Sequence, residues 1–338
     1  MIIQGSFYSR NDQIMINRLK RQTRKGNLDN ISRTVCYQQF YKKHPEIKWA
    51  YLASMVSRNA GWNMTDLASQ VYERMIPTHY RKFLFMTYER ANWLIFDDAY
   101  PQLLIYEASK QQQQPLFHLL KAFHVSNFMI HEWMIFWRKK DQDRLCTALI
   151  INEQHLIQKP VIEHPFYQKK VFKTFPFYLE ELLHFSVVLL PSRNGQLFGF
   201  SVHGFQKVKN RILLGRRLAW VLFNSPAQNQ IRDFSLKVQH TGSRSDYERY
   251  LVTKPPKKTP MLRSTYPVIY HERRQGHDWF SQKTNRYVDK YFANFTVPRK
   301  YELTKWYENK QKQLYVSMRL EELLLPKNVW DYIKLTKK

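Results

Sequence analysis

The sequence predicts a mostly α-helical, multi-helix single domain with one small β-hairpin at about 186–202 and a basic, partly helical C-terminal extension. Three observations predict it. Apolar residues recur at three- and four-residue spacing through most of the chain. Glycine numbers only 9 in 338 residues, against a usual share of about 7%, which argues against glycine-rich phosphate loops and turn-dense all-β folds. A single Asn-Gly step, Asn194-Gly195, lies between two β-prone runs. The apolar fraction of 43% and charged fraction of 24% belong to a globular chain rather than a disordered one.

The elements follow in order. Arg18, Lys20, Arg21, Arg24 and Lys25 crowd the N-terminal stretch, and Arg18, Arg21 and Lys25 share one helical face. Trp49, Leu52, Ala53, Val56 and Ala60 make an apolar face opened by Pro45, with Gly61 as a left-handed stop. Met64, Leu67, Ala68, Val71 and Met75 repeat the pattern up to Pro77, with Asn63 and Asp66 as an N-cap pair. This reads as a core helical hairpin. It is not a DNA-reading helix-turn-helix, because its second helix would expose a net negative face.

Further helices are predicted at about 78–96, 99–111, 116–123, 128–139, 144–158 and 177–185, with Asp97-Asp98 capping the second of these. The runs 186–190 and 196–202 form the hairpin; helices resume at about 205–223 and 227–238. Lys254-Pro-Pro-Lys-Lys-Thr-Pro260 is a basic polyproline-type connector, and helices are predicted beyond it at 299–318 and 320–325. Composition thus divides the chain into a basic N-terminal helix or arm (1–27), a helical core domain (28–252), a Pro/Lys connector (253–260) and a basic, aromatic-rich extension (261–338).

Charge is lopsided: 54 Lys and Arg against 27 Asp and Glu, a net +27. The first 43 residues contribute +7 and the last 88 contribute +11, leaving +9 for the 207 between. Such ends suit a polyanion, whose counterions are released as its phosphates are neutralised. Aromatics lie among the bases in Arg299-Lys300-Tyr301 and Lys305-Trp306-Tyr307, where they could stack on bases of a single strand. Lys257 and Lys258 of the connector add to the same charge. Nucleic acid is the partner this pattern favours. An anionic membrane surface is the second reading.

Several strings resemble a family of known sequence and no established activity. They are Asn30-Ile-Ser-Arg-Thr34, Phe40-Tyr41, His44-Pro-Glu-Ile47, Ser57-Arg-Asn-Ala-Gly-Trp-Asn-Met-Thr-Asp-Leu67, Ile95-Phe-Asp-Asp-Ala-Tyr-Pro-Gln102, Leu214-Gly-Arg-Arg-Leu218 and His240-Thr-Gly-Ser-Arg-Ser-Asp-Tyr247. Together, over roughly 28–270, they resemble the YppC-like proteins of Bacillus-type Firmicutes, a domain-of-unknown-function family. The resemblance implies a bacterial cytosolic setting and one mostly helical domain. It implies no reaction.

Two segments could instead carry a small-ligand site. Arg58, Asn59, Trp62 and Asp66 surround one predicted turn, with Arg58 as a fork for carboxylate or phosphate. The alternative is a buried network in which Arg58 pairs with Asp66. His240, Ser243, Arg244 and Asp246 combine an imidazole, a hydroxyl and a guanidinium around a cap that opens a short helix, a set suited to an oxyanion. If the two segments meet, a phosphate- or carboxylate-binding protein or an enzyme becomes a rival to the polyanion reading.

No Walker loop, Gly-x-Ser-x-Gly or His-Glu-x-x-His occurs, so whether the chain is an enzyme stays open. Glu181-Leu-Leu-His184 has the spacing of a di-iron helix but lacks its second copy. No cofactor and no metal site are expected. The two cysteines, Cys36 and Cys146, are expected to be reduced. With no signal peptide and no apolar run near the ~20 residues a spanning helix needs, the expected compartment is the cytoplasm. Oligomeric state has no sequence signature here.

Overall fold

The computed structural model describes residues 8–169, 187–201, 204–253, 259–273, 278–281, 283, 285–293 and 295–324. Helix α1 (Arg10–Gly26) opens with a capping box, in which the Ser9 hydroxyl accepts from Asp12 N and the Asp12 carboxylate accepts from Ser9 N. It buries Ile16, Leu19 and Thr23 and leaves its other side to solvent. Helix α2 (Asn30–Lys43) is capped by Asp29, which accepts from Ser32 N at 2.7 Å.

Helix α3 (Lys48–Asp66) is buried nearly all round, the mark of a helix inside a core rather than on its surface. It packs against α2, α5 (Thr78–Gln112), α7 (Gln142–Leu156), α8 (Val208–Asn224) and β1 (Val187–Pro191). Further helices among the described residues are α4 (Gln70–Met75), α6 (Asn127–Lys139), α9 (Gln228–Lys237), α10 (Ser245–Glu248), α11 (Leu262–Thr265), α12 (Asn285–Phe292) and α13 (Thr304–Leu324), with a π-helical turn at Gln158–Ile162 and a short helical turn at Pro165–Tyr167. A 3-10 segment, Phe117–Phe123, sits between α5 and α6. The predicted helix at 177–185, with its Glu181 and His184, lies outside the described residues, as do Lys257 and Lys258.

The hairpin forms as the Asn-Gly step predicts. β1 pairs antiparallel with β2 (Leu197–Ser201), from Val187 opposite Ser201 to Pro191 opposite Leu197. Gly195 takes a φ of +80° in the turn, which only glycine adopts cheaply. The far edge of β2 is covered by the 301–303 backbone: Gly199 N donates to Tyr301 O at 2.8 Å and Leu303 N to Leu197 O at 2.7 Å. The other edge meets Asn59, whose amide donates to Val187 O and accepts from Leu189 N, both at 3.0 Å. A side chain on α3 thereby takes the place of a strand partner.

Three local expectations are corrected. The predicted turn at Gly61 does not exist, because α3 runs unbroken to Asp66 and Asn63 and Asp66 are buried inside it rather than capping a second helix. The helices expected at 78–96 and 99–111 are one helix, α5, with Pro101 in its interior. Interior proline costs ~3 kcal/mol, but Phe96, Leu103 and Ile105 around it are fully buried, and their burial offsets that cost. Asp98 accordingly caps nothing; it is buried and accepts from Gln102, Asn152 and Arg273. Among the described residues, no helix is long and apolar enough to cross a membrane.

Candidate functional site

The C-terminal half of α3 and the 240–247 segment meet directly. Arg244 Nε donates to Asp66 Oδ2 at 2.6 Å, and its two terminal nitrogens donate to Tyr247 Oη and to Asn63 Oδ1, the latter at 2.9 Å. Trp62 Nε1 donates to Asp246 Oδ2 at 3.1 Å, and its ring meets that of Tyr247 edge-on at 4.7 Å. Asp246 also accepts from the Thr241 amide and hydroxyl, with His240 Nδ1 3.4 Å away. The Asn30 amide nitrogen donates to Ser57 O, which leaves its oxygen to accept from His240 Nε2 at 2.8 Å.

Backbone conformation brings the segment into place. Gly242 adopts a φ of +79°, where an added Cβ would lie 2.5 Å from Leu262 Cβ. Its carbonyl accepts from Thr65 Oγ1 at 2.6 Å. Ser243 donates to Thr259 O at 2.7 Å and accepts from Ser245 N, so the expected Ser243–Asp246 cap pair is not formed. Asp246 instead reaches back to Thr241. The chain continues to Tyr307, fully buried, whose hydroxyl accepts from Tyr247 and donates to Glu248. Tyr307 is therefore not available to stack on a nucleic-acid base.

Charge in this layer is matched internally. Burial works against the Arg244 guanidinium, but Asp66 and the surrounding tyrosine oxygens outweigh it and raise its pKa well above the ordinary value. Burial likewise pushes the Asp246 carboxyl up, and the nearby His240 together with hydrogen bonds from Thr241 and Trp62 more than reverses this. Burial holds His240 below the ordinary histidine value, with Asp246 opposing it. Asp66, Ser243, Arg244 and Asp246 are closed to a ligand, each at most 1% exposed. The expected Arg58–Asp66 pair is absent because Arg244 occupies Asp66; Arg58 donates instead to Val238 O at 2.8 Å and Ser235 O at 3.1 Å.

A cavity of about 590 Å³ opens beside this layer, between the end of α1, the outer side of α2 and the end of α9. Of the eight predicted site residues, Arg58 and His240 line it. Lys25, Lys42, Lys237 and Arg263 line it too, and among the described residues no carboxylate does. Lys42, Lys237 and Arg263 carry no local motif that would have marked them, since helix-terminal bases are common. Asn30 and Ser57 were equally silent; a buried hydroxyl or amide looks like any other in a sequence.

The sequence-predicted polyanion contacts are placed differently. Arg18, Lys20, Arg21, Arg24 and Lys25 are all exposed on α1, and Arg299, Lys300 and Lys305 are exposed near the start of α13. The two groups rest on different elements: α1 packs on α5, α2 and the 3-10 segment, α13 on α4 and β2. Among the described residues, no group of three or more His, Cys, Asp or Glu is placed to hold a metal ion, and Cys36 and Cys146 are free thiols.

Residues 25–308 match the family described as "Protein of unknown function (DUF2515)". The chain belongs to that family. It is also 46% identical over 312 residues to the "Uncharacterized protein YppC" of Bacillus subtilis (strain 168), covering 92% of this chain and 96% of that one. The YppC-like resemblance in the sequence is thereby shown. No solved structure matches the chain. The family match spans the buried 57–66 and 240–247 layer and the cavity beside it, and begins at Lys25, after most of the basic face of α1.

Proposed function

We propose that the protein binds a polyanion, nucleic acid in the first place, through the outer face of α1 and without a catalytic requirement. The observation that carries this reading is a rigid helix with two opposed faces. Ile16, Leu19 and Thr23 dock one face into the core, while Arg18, Lys20, Arg21, Arg24 and Lys25 stand exposed on the rest. The two carboxylates nearest in sequence are occupied elsewhere, Asp12 by the cap at Ser9 and Asp29 by Arg263 at 2.7 Å. Fixing the bases on a docked helix removes the ordering cost that a floppy basic arm would meet on binding. Arg299, Lys300 and Lys305 add charge from a separate patch.

Fluorescence anisotropy with labelled single-stranded DNA, duplex DNA and RNA, repeated across a salt series, tests this. Affinity is expected to fall steeply with salt, and more steeply for the parent than for a variant with Arg18, Arg21 and Arg24 changed to Gln. Full retention of affinity by that variant at moderate salt would sink the proposed contact. One observation favours a second reading: Ile14 is 60% and Leu28 42% exposed beside the same bases, as on a helix that rests on a lipid surface. Co-sedimentation with phosphatidylserine-containing vesicles, against phosphatidylcholine alone, separates the two.

A further inference from the structure

The cavity between α1, α2 and α9 raises a question that the α1 face does not answer. Among the described residues, four arginines are buried to 2% exposure or less: Arg33, Arg58, Arg211 and Arg244. Two are neutralised by a carboxylate in contact, Arg33 by Glu89 and Arg244 by Asp66. Arg211 has no carboxylate but has four oxygen acceptors, from Gln154 (two), Phe205 and Gln158. Arg58 has two carbonyls and lines a cavity. A buried charge without a counter-charge is costly. Asp246 acts on it from a distance, but that carboxylate is already bound to Trp62, Thr241 and His240.

The rest of the cavity wall has the same sign. Lys25 and Lys42 are exposed at its rim, and among the described residues no carboxylate pairs with either. Lys237 and Arg263 also line it, each held by a carboxylate that faces it, Asp233 and Asp29 respectively. The carbonyl end of α9 would ordinarily repel an anion. Here Arg58 and Gln38 both donate to the Ser235 carbonyl and Arg58 also to Val238, which cancels much of that repulsion. Burial lowers the Arg58 pKa to about 10, so the guanidinium remains charged at neutral pH.

We propose that this cavity is a phosphate-monoester site, with Arg58 at its floor and Lys25, Lys42, Lys237 and Arg263 around its mouth. Phosphate is the favoured anion because five bases converge from five helices, α1, α2, α3, α9 and α11, which suits a multiply charged group with several acceptor oxygens. A volume of about 590 Å³ exceeds a bare phosphate and falls within the range of about 300–1,000 Å³ typical of small-molecule pockets. The phosphoryl group is therefore the anchor of a larger organic body. That body is either a small phosphorylated molecule or the terminal phosphate of a strand, and the anchoring chemistry is the same for both.

Isothermal titration of the full chain with inorganic phosphate at low ionic strength, with chloride balanced, tests the site. Saturable binding is expected, weakened roughly tenfold in the double variant Lys42→Gln/Lys237→Gln, whose side chains are exposed and whose loss leaves the core intact. Arg58→Gln should abolish it, with circular dichroism and a melting curve reporting whether the fold survives. Arg18→Gln/Arg21→Gln should leave it unchanged, so failure here is distinguishable from failure of the α1 reading. A second arm compares a 5′-phosphorylated oligonucleotide with its 5′-hydroxyl twin. A gain from the phosphate that the Lys42→Gln/Lys237→Gln variant loses assigns the site to a strand end; binding of inorganic phosphate without that gain assigns it to a small phosphorylated ligand. Absence of saturable phosphate binding, or binding unaffected by Lys42→Gln/Lys237→Gln, overturns the proposal.

Discussion

The 240–247 layer and the outer face of α1 dispose of their charge in opposite ways. In the layer, Arg244 is enclosed and bound to Asp66, Asn63 and Tyr247; on α1, five bases face solvent and, among the described residues, no carboxylate pairs with them. Residue type does not separate the two, since an arginine is as strong a phosphate ligand in either sequence context. What separates them is burial. An arginine that is hydrogen-bonded inside the core holds two segments together, and one that is left outside is available to a partner. The cavity beside Arg58 lies between these cases, with a buried base at its floor and exposed bases at its mouth.

The largest expected effect comes from breaking the layer. Asp66→Ala leaves Arg244 charged and unmatched in the core, so a loss of ~3–5 kcal/mol is expected in urea unfolding. A loss below about 1 kcal/mol would mean that the pair adds little to stability and that the layer is looser than its hydrogen bonds indicate.

Gly61 gives the next largest effect. An added methyl there would overlap Asn30 Oδ1 and lie 2.8 Å from His240 Nε2. Gly61→Ala is thus expected to destabilise by ~1–3 kcal/mol. At an open helix position the same change would stabilise by about 1 kcal/mol. The sign alone, read from denaturation midpoints, decides between the two.

Acidification should affect the layer and spare α1. His240 has a folded pKa below its ordinary value, so its contribution is present above about 6.5 and is lost as pH falls through the folded pKa. Burial gives His155 and His271 the same sign, pushing both down to about 4. Asp246, also depressed, adds a further loss below about 3.8. Unfolding free energy is therefore expected to drop between pH 7 and pH 5, less steeply in His240→Gln than in the parent. An identical slope in the two would show that His240 does not titrate as its surroundings require.

Much of this was legible in the sequence, and the errors are instructive. Apolar periodicity located most of the long core helices, though not α2 or α12, and split α13 in two; Asn194-Gly195 located the hairpin, because each is a local pattern with a local cause. The meeting of 57–66 with 240–247 was legible only as a possibility, and the identity of the partners was not. Asp66 looked like the partner of an Asn63 N-cap because an acidic residue three positions after an Asn, just past a glycine, usually marks a helix start. Its real partner, Arg244, is 178 residues away. Gly61 as a stop and Asp97-Asp98 as a cap failed for a related reason: tertiary burial outweighed local preference at both. The cavity was illegible, since Lys42, Lys237 and Arg263 become neighbours only when α2, α9 and α11 are assembled.

The smallest effect on stability is also the most direct test of function. Changing Arg18, Arg21 and Arg24 to Gln should move the unfolding free energy by no more than about 0.5 kcal/mol, as for exposed sites without partners. The slope of log K against log salt for DNA binding should become shallower by up to about 1 for each phosphate that is no longer neutralised. A measured slope unchanged from that of the parent, with equal affinity at moderate salt, would contradict the assignment of α1 as the polyanion-binding face.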